Sequence, residues 1–216
     1  MARFDVILFD IDDVLLKTST VKWAQHKFVA KKYYNIELTN ETLAKHWGKP
    51  FHQMVGLLYG QADTPQNMMD NFVRHELEFR KELFPDTVHT LNELHKTGVT
   101  MGLITSGRWA VSKIEVELLK IPLDYFAIVQ GSDDSEFHKP DPRVFSPALA
   151  TLAKKGFTNK ANMVYIGDAL SDFFAARDAG LQFIAVTTGM TAPAAFRAAG
   201  ATNIAPRLRD ILPLAT

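Results

Sequence analysis

Three aspartates within four positions, Asp10, Asp12 and Asp13, close the apolar run "VILFDIDDVLL". Clustered carboxylates repel one another and are costly to desolvate. Either they stand in open water or a cationic partner compensates them. Three further groups could share such chemistry. "GLITSG" ends an apolar run with Thr105, Ser106 and Gly107; "HKPDP" offers Lys139; "YIGDALSD" ends another run with Asp168 and places Asp172 four residues on.

The elements that carry these residues read as an α/β chain. Short apolar, β-branched runs at 5–10, 99–105, 125–131, 163–168 and 183–189 predict buried strands, and "TNIA" near Thr202 a sixth. Their hydrophobicity is continuous rather than alternating, which predicts a parallel sheet covered on both faces. Helical patterns at 85–96, 110–119, 142–154 and 170–179 separate them. Glycine follows two of these in "HKTGV" and "RDAGL". The alternation predicts a doubly wound parallel sheet. In such sheets ligands bind beyond the carboxyl ends of the strands. Asp10, Thr105, Lys139 and Asp168 all fall at strand ends or in the following loop, so the pattern gathers them on one rim.

The alternation breaks between the first two strands. Residues 21–34, 40–47, 51–58 and 64–83 read as helices, with Phe72, Leu77 and Phe84 as packing residues. This predicts a helical cap over 17–84 inserted into a catalytic core of 1–16 and 85–216. In the cap, "HWGKPFHQM" (46–54) carries Lys49 and His52. The same stretch also suits an ordinary interhelix turn with an exposed lysine.

Composition sets outer bounds. Of the 216 residues 47% are apolar, enough for a large core, and basic and acidic residues balance at 24 each. That balance gives no electrostatic case for nucleic acid or an acidic membrane surface. With no cysteine, disulfides, thiolate metal sites and cysteine nucleophiles are excluded. No apolar run reaches membrane-spanning length and no signal peptide is evident, so a cytoplasmic protein is expected.

Taken in order, "DIDDV", "GLITS", the lysine of "HKPDP" and "GDALSD" resemble the four motifs of the haloacid dehalogenase superfamily, on its phosphatase side. The resemblance covers nearly the whole chain, and the helical insertion resembles the family's helical cap, as in phosphoglycolate phosphatases and β-phosphoglucomutases. It implies a Mg²⁺-dependent phosphatase acting on a small phosphorylated metabolite through an aspartyl-phosphate intermediate. Asp10 would be the nucleophile and Asp12 the general acid and base. Thr105, with the backbone N–H groups of Ser106 and Gly107, would hold the phosphoryl oxygens, and Lys139 would offset charge. Asp10, the Asp12 carbonyl and Asp168 would bind Mg²⁺, with Asp172 in the outer shell or holding Lys139. Lys49 or His52 would meet the substrate from the cap.

The chain departs from its relatives in two places. Many carry glycine where it has Asp13, which is expected to adopt negative φ and to face solvent or the cap hinge. β-Phosphoglucomutase-like members carry a histidine where an ungapped reading places Lys22, which weighs toward a hydrolase. The rival readings are a sugar-phosphate mutase and a non-catalytic phosphoacceptor or binding module.

Overall fold

The computed structural model describes residues 3–49 and 51–215. The chain divides into two compact units, Met1–Lys17 with Glu82–Thr216, and Thr18–Lys81.

The first unit is built on β1 (Val6–Phe9), β4 (Thr100–Ile104), β5 (Phe126–Gln130), β6 (Met163–Gly167), β7 (Gln182–Val186) and β8 (Ile204–Ala205). They form a six-stranded parallel sheet in the order β5-β4-β1-β6-β7-β8. Successive side chains of a strand point to opposite faces. Ile7, Phe9, Leu103, Ile166 and Ile184 therefore enter one core, while Val6, Leu8, Ile128, Tyr165 and Phe183 enter the other. Each face is apolar, so each strand reads as a continuous run. The register sets Phe9 against both Leu103 and Ile166. Residues 10, 104–105 and 167–168 consequently leave the sheet side by side.

Helices α5 (Thr87–Lys96), α6 (Trp109–Leu118), α7 (Ser146–Lys154), α8 (Leu170–Ala179), α9 (Pro193–Ala199) and α10 (Leu212–Ala215) belong to this unit. Gly98 and Gly180 take the left-handed conformation, φ 76° and 80°, just past the ends of α5 and α8. Gln130 ends β5 with a buried amide that donates to the Val144 carbonyl (2.7 Å) and accepts from the Ala148 N–H (3.0 Å). That amide ties the segment following Lys139 to the sheet.

The second unit holds α1 (Ser19–Tyr34), α2 (Asn40–His46), α3 (Phe51–Leu58) and α4 (Pro65–Val73). Its core includes Trp23, Val29, Leu43, Val55, Tyr59 and Phe72. Thr39 and Thr64 cap α2 and α4, their hydroxyls accepting from the N–H groups of Thr42 (3.1 Å) and Asn67 (3.2 Å). Lys22, Gln25 and His26 are among the buried polar residues here. Lys22 pairs with Glu76 and donates to Gln25 Oε1 (3.1 Å). His26 Nδ1 meets the Tyr59 hydroxyl at 2.8 Å, and burial, with Lys22 adding, pushes the imidazole down to about 3.

Helix α4 is shorter than its sequence pattern. The pattern runs through 64–83, but the helix ends at Val73 and turns follow. His75 folds inward there: Nδ1 meets Glu78 Oε1 at 2.6 Å and Nε2 meets the Tyr33 hydroxyl at 2.9 Å. The Tyr33 contact is tertiary, and it overrides local helix propensity. The same turn leaves Leu77 75% exposed, so it is not the core residue its spacing suggests. A two-strand ribbon, β2 (Leu16–Lys17) against β3 (Glu82–Leu83), brackets the helical unit. Such strands are too short to show a sequence period.

Candidate functional site

Asp10 leaves the sheet directly after β1, its N–H donating to the Ile166 carbonyl (2.9 Å). Its side chain is 11% exposed. Oδ1 accepts the Ile11 N–H at 2.7 Å and Oδ2 accepts from Lys139 Nζ at 2.9 Å. Lys139, more than a hundred residues away, has its side chain 3% exposed between Asp10 and Asp172, with Asp172 Oδ1 at 2.8 Å. Its third contact is the Tyr165 hydroxyl at 2.6 Å. Asp172 in turn accepts the Asp168 and Ala169 N–H groups at Oδ2, at 3.1 and 3.0 Å. One residue thus orients the lysine and the start of α8 together.

Asp168 completes an acidic group. Single carboxylate oxygens of Asp10, Asp168 and Asp172 lie within 4.8 Å of one another. Two glycines permit this crowding. A Cβ at Gly189 would fall 1.8 Å from Asp168 Oδ2, and one at Gly167 would fall 2.5 Å from the Asp172 Cβ. Gly189, Tyr165 and Thr188 escape the sequence reading, since each sits in or beside an apolar run with nothing to distinguish it from sheet packing.

Thr105 is buried at the end of β4, and its hydroxyl oxygen accepts the Gly107 N–H at 3.0 Å. That N–H, expected to face a phosphoryl group, is engaged within the loop; the Thr105 hydroxyl keeps its own proton to donate. Ser106 is exposed. Asp12 is half-buried and bridges to Leu16 in the turn that follows β1. Lys49 and His52 belong to the helical unit and are both exposed; His52 lines a groove with Gln53, Gly56 and Met68. Pro50 lies outside the described residues.

Asp13 corrects an expectation. It takes φ +55°, not a negative φ, and is 6% exposed, so it does not face solvent. Its N–H donates to the Leu16 carbonyl (2.7 Å) and its own carbonyl accepts the Thr188 hydroxyl. The turn needs the left-handed conformation that suits glycine, and aspartate is among the side chains that tolerate it.

The electrostatics are those of a site with too much negative charge. Burial pushes Asp10 up to about 7, with Asp172 and Asp12 adding and Lys139 opposing. Burial holds the Asp168 carboxyl well above the usual range, and Asp172, Asp10 and Asp13 add to it. Burial alone would lower Lys139, but Asp10 and Asp172 hold it well above the usual lysine range. Tyr165 is likewise raised, first by burial, so its phenol stays protonated and donates to the Ile104 carbonyl at 3.0 Å. When all three carboxyls are ionised, they outnumber the one ammonium by two negative charges. An all-oxygen donor set with that deficit fits a hard divalent cation such as Mg²⁺.

The profile of the haloacid dehalogenase-like hydrolases matches residues 7–186. The chain belongs to that family. It is 30% identical over 172 residues to the phosphoglycolate phosphatase of Salmonella paratyphi A, a match covering 80% of this chain and 66% of that protein, just under two thirds of its length. It is 24% identical over 215 residues to the pyrophosphatase PpaX of Bacillus mycoides, covering 98% of this chain and 97% of that protein. A Thermotoga maritima crystal structure named a "putative beta-phosphoglucomutase" superposes with a TM-score of 0.81 at 20% identity, covering 97% of both chains. That last likeness concerns the fold alone. Among the described residues, no helix is long and apolar enough to cross a membrane.

Proposed function

We propose that this family member is a Mg²⁺-dependent phosphatase of small phosphorylated metabolites, with a phosphoglycolate-like monoester as the substrate class. The carrying observation is the buried Asp10–Lys139–Asp172 chain beside Asp168, a charge arrangement that is costly unless a cation completes it. A bound Mg²⁺, held by Asp10, the Asp12 carbonyl and Asp168, would supply neutralisation of charge on the phosphoryl oxygens.

In the proposed reaction a carboxylate oxygen of Asp10 forms a bond to phosphorus while the ester P–O bond breaks. The leaving oxygen takes the bond electrons and a proton from Asp12. Asp12, now a carboxylate, removes a proton from water as the water oxygen bonds to phosphorus. The Asp10 oxygen–phosphorus bond then breaks, releasing phosphate and restoring Asp10. The Thr105 hydroxyl donates to a phosphoryl oxygen, and Lys139 holds Asp10 ionised and in place. By the family resemblance the helical unit selects the substrate, with Lys49 and His52 as its candidate contacts.

A panel of phosphate monoesters and pyrophosphate, assayed with and without Mg²⁺, tests the reading. Stoichiometric, Mg²⁺-dependent phosphate release is expected, strongest for a small carboxylated monoester. Isomerised sugar phosphate without phosphate release would replace it with the mutase reading. Lys22, at the position of the mutases' histidine, already pairs with Glu76 inside the helical unit. For the best substrate, Lys49→Ala is expected to raise KM a few-fold; unchanged kcat/KM would remove Lys49 from the selecting contacts.

A further inference from the structure

We infer that Thr188 is a positioning residue for the ion site: its hydroxyl pins the peptide that follows Asp13 and so fixes the direction of the Asp12 carbonyl, one of the proposed Mg²⁺ ligands. The inference rests on the Mg²⁺-dependent phosphatase reading and adds to it a residue outside the four motifs.

The peptide joining Asp12 to Asp13 is trans, so its C=O and N–H point in opposite directions. The N–H belongs to Asp13 and donates to the Leu16 carbonyl at 2.7 Å. The Asp12 carbonyl therefore points away from Leu16. That direction depends on the φ of Asp13, +55°, in the left-handed region that costs a non-glycine residue energy. The conformation is held from both sides. Leu16 fixes the peptide before Asp13 from within the turn. The Thr188 hydroxyl, donating to the Asp13 carbonyl, fixes the peptide after it from another strand's loop. Strand order places β6 between β1 and β7, so this bond from the loop after β7 crosses the end of β6, where Asp168 stands. The loop is itself anchored, because the Thr187 N–H donates to the Ala205 carbonyl at 3.0 Å. The next residue after Thr188 is Gly189, where a Cβ would fall 1.8 Å from Asp168 Oδ2. Two consecutive residues of one loop thus meet the backbone that carries one proposed ligand and the carboxylate of another. A valine at position 188 would keep the side chain's shape but not its O–H. The Asp13 peptide is then free to relax toward negative φ, and the Asp12 carbonyl turns with it.

Calorimetric titration of Mg²⁺ into the native protein and into Thr188→Val, without substrate, tests this. Affinity should be about tenfold weaker in Thr188→Val, the scale of a group that orients a metal ligand without binding the ion. Thr188→Ala, which also lacks the hydroxyl, should show the same loss whatever the branched side chain contributes to folding. Thr188→Ser keeps the hydroxyl and drops only the methyl group, so its Mg²⁺ affinity should stay within about twofold of native, as rescue by the donor alone requires. Two results would overturn the inference. One is native Mg²⁺ affinity in Thr188→Val and Thr188→Ala. The other is a loss in Thr188→Ser equal to that in Thr188→Val, which would mean that the hydroxyl does not set the carbonyl. A native protein that binds no Mg²⁺ would instead sink the Mg²⁺-dependent reading, and this inference with it. Mg²⁺ binding by the native protein with unchanged affinity in Thr188→Val leaves that reading standing alone.

Discussion

Each unit of this molecule buries a lysine, and the two are handled differently. Lys22 in the helical unit has one carboxylate partner, Glu76, whose side chain is 44% exposed, and an amide from Gln25. Its charge is balanced locally and its counter-ion still meets water. Lys139 in the α/β unit lies between two buried carboxylates with the half-buried Asp168 beside them, so little solvent shares the load. A balanced pair of the first kind serves folding. An unbalanced one destabilises the isolated chain and becomes favourable when a cation offsets the excess negative charge. The contrast separates a lysine held for the fold from one held for the proposed chemistry, without appeal to the motif that contains it.

The largest effect belongs to the unbalanced site. Asp10→Asn removes the proposed nucleophile, and turnover should fall on the order of 10⁴-fold, the scale seen when a covalent group is deleted. A steady-state assay at saturating Mg²⁺ checks it. Next is Gly189→Ala. The added methyl would overlap the Asp168 carboxylate, which is the mobile end of a side chain, so the fold should survive while Asp168 turns away. Mg²⁺ affinity, measured by calorimetry, should weaken about 10–100-fold; unchanged affinity would remove Asp168 from the ion's ligands.

A thermal series then probes the charge excess. Because Asp10 is raised to about 7, the folded metal-free protein binds more protons than the unfolded chain between the ordinary carboxylate range and that value. Its stability should therefore fall as pH rises through this window. Mg²⁺ competes with those protons, so the rise in melting temperature on adding Mg²⁺ should grow from about pH 5 to about pH 8. A pH-independent increment would mean that no such group faces the ion. The smallest effect belongs to the balanced pair. Glu76→Ala leaves the Lys22 ammonium buried with one partner fewer and should cost about 1–3 kcal/mol in urea unfolding. Lys22→Met, which leaves only a half-exposed carboxylate behind, should cost less. The reverse order would break the comparison.

The α/β unit was legible in sequence because burial on both faces turns each strand into an unbroken apolar run. Asp10, Thr105 and Asp168 stood out as polar punctuation at the ends of such runs. Lys139 needed its order among the motifs, since a lone loop lysine carries no signal. What stayed hidden depends on contact rather than on pattern. Tyr165 and Gly189 are ordinary members of apolar stretches until the Lys139 ammonium and the Asp168 carboxylate are placed against them. The helix expected over 64–83 failed for a similar reason: the partners of His75 lie at Tyr33 and Glu78, one of them more than forty residues away. Asp13 read as a departure, yet its left-handed turn is the conformation a glycine would have supplied.

The central claim is that Asp10 carries the phosphoryl group. Acid quenching during turnover of the best substrate, followed by mass spectrometry of the peptide containing Asp10, tests it directly. The account predicts a phosphoryl adduct on Asp10 that forms within a turnover, decays to free phosphate, and is absent from Asp10→Asn. Native-level phosphate release by Asp10→Asn, with no adduct on the native peptide, would contradict it.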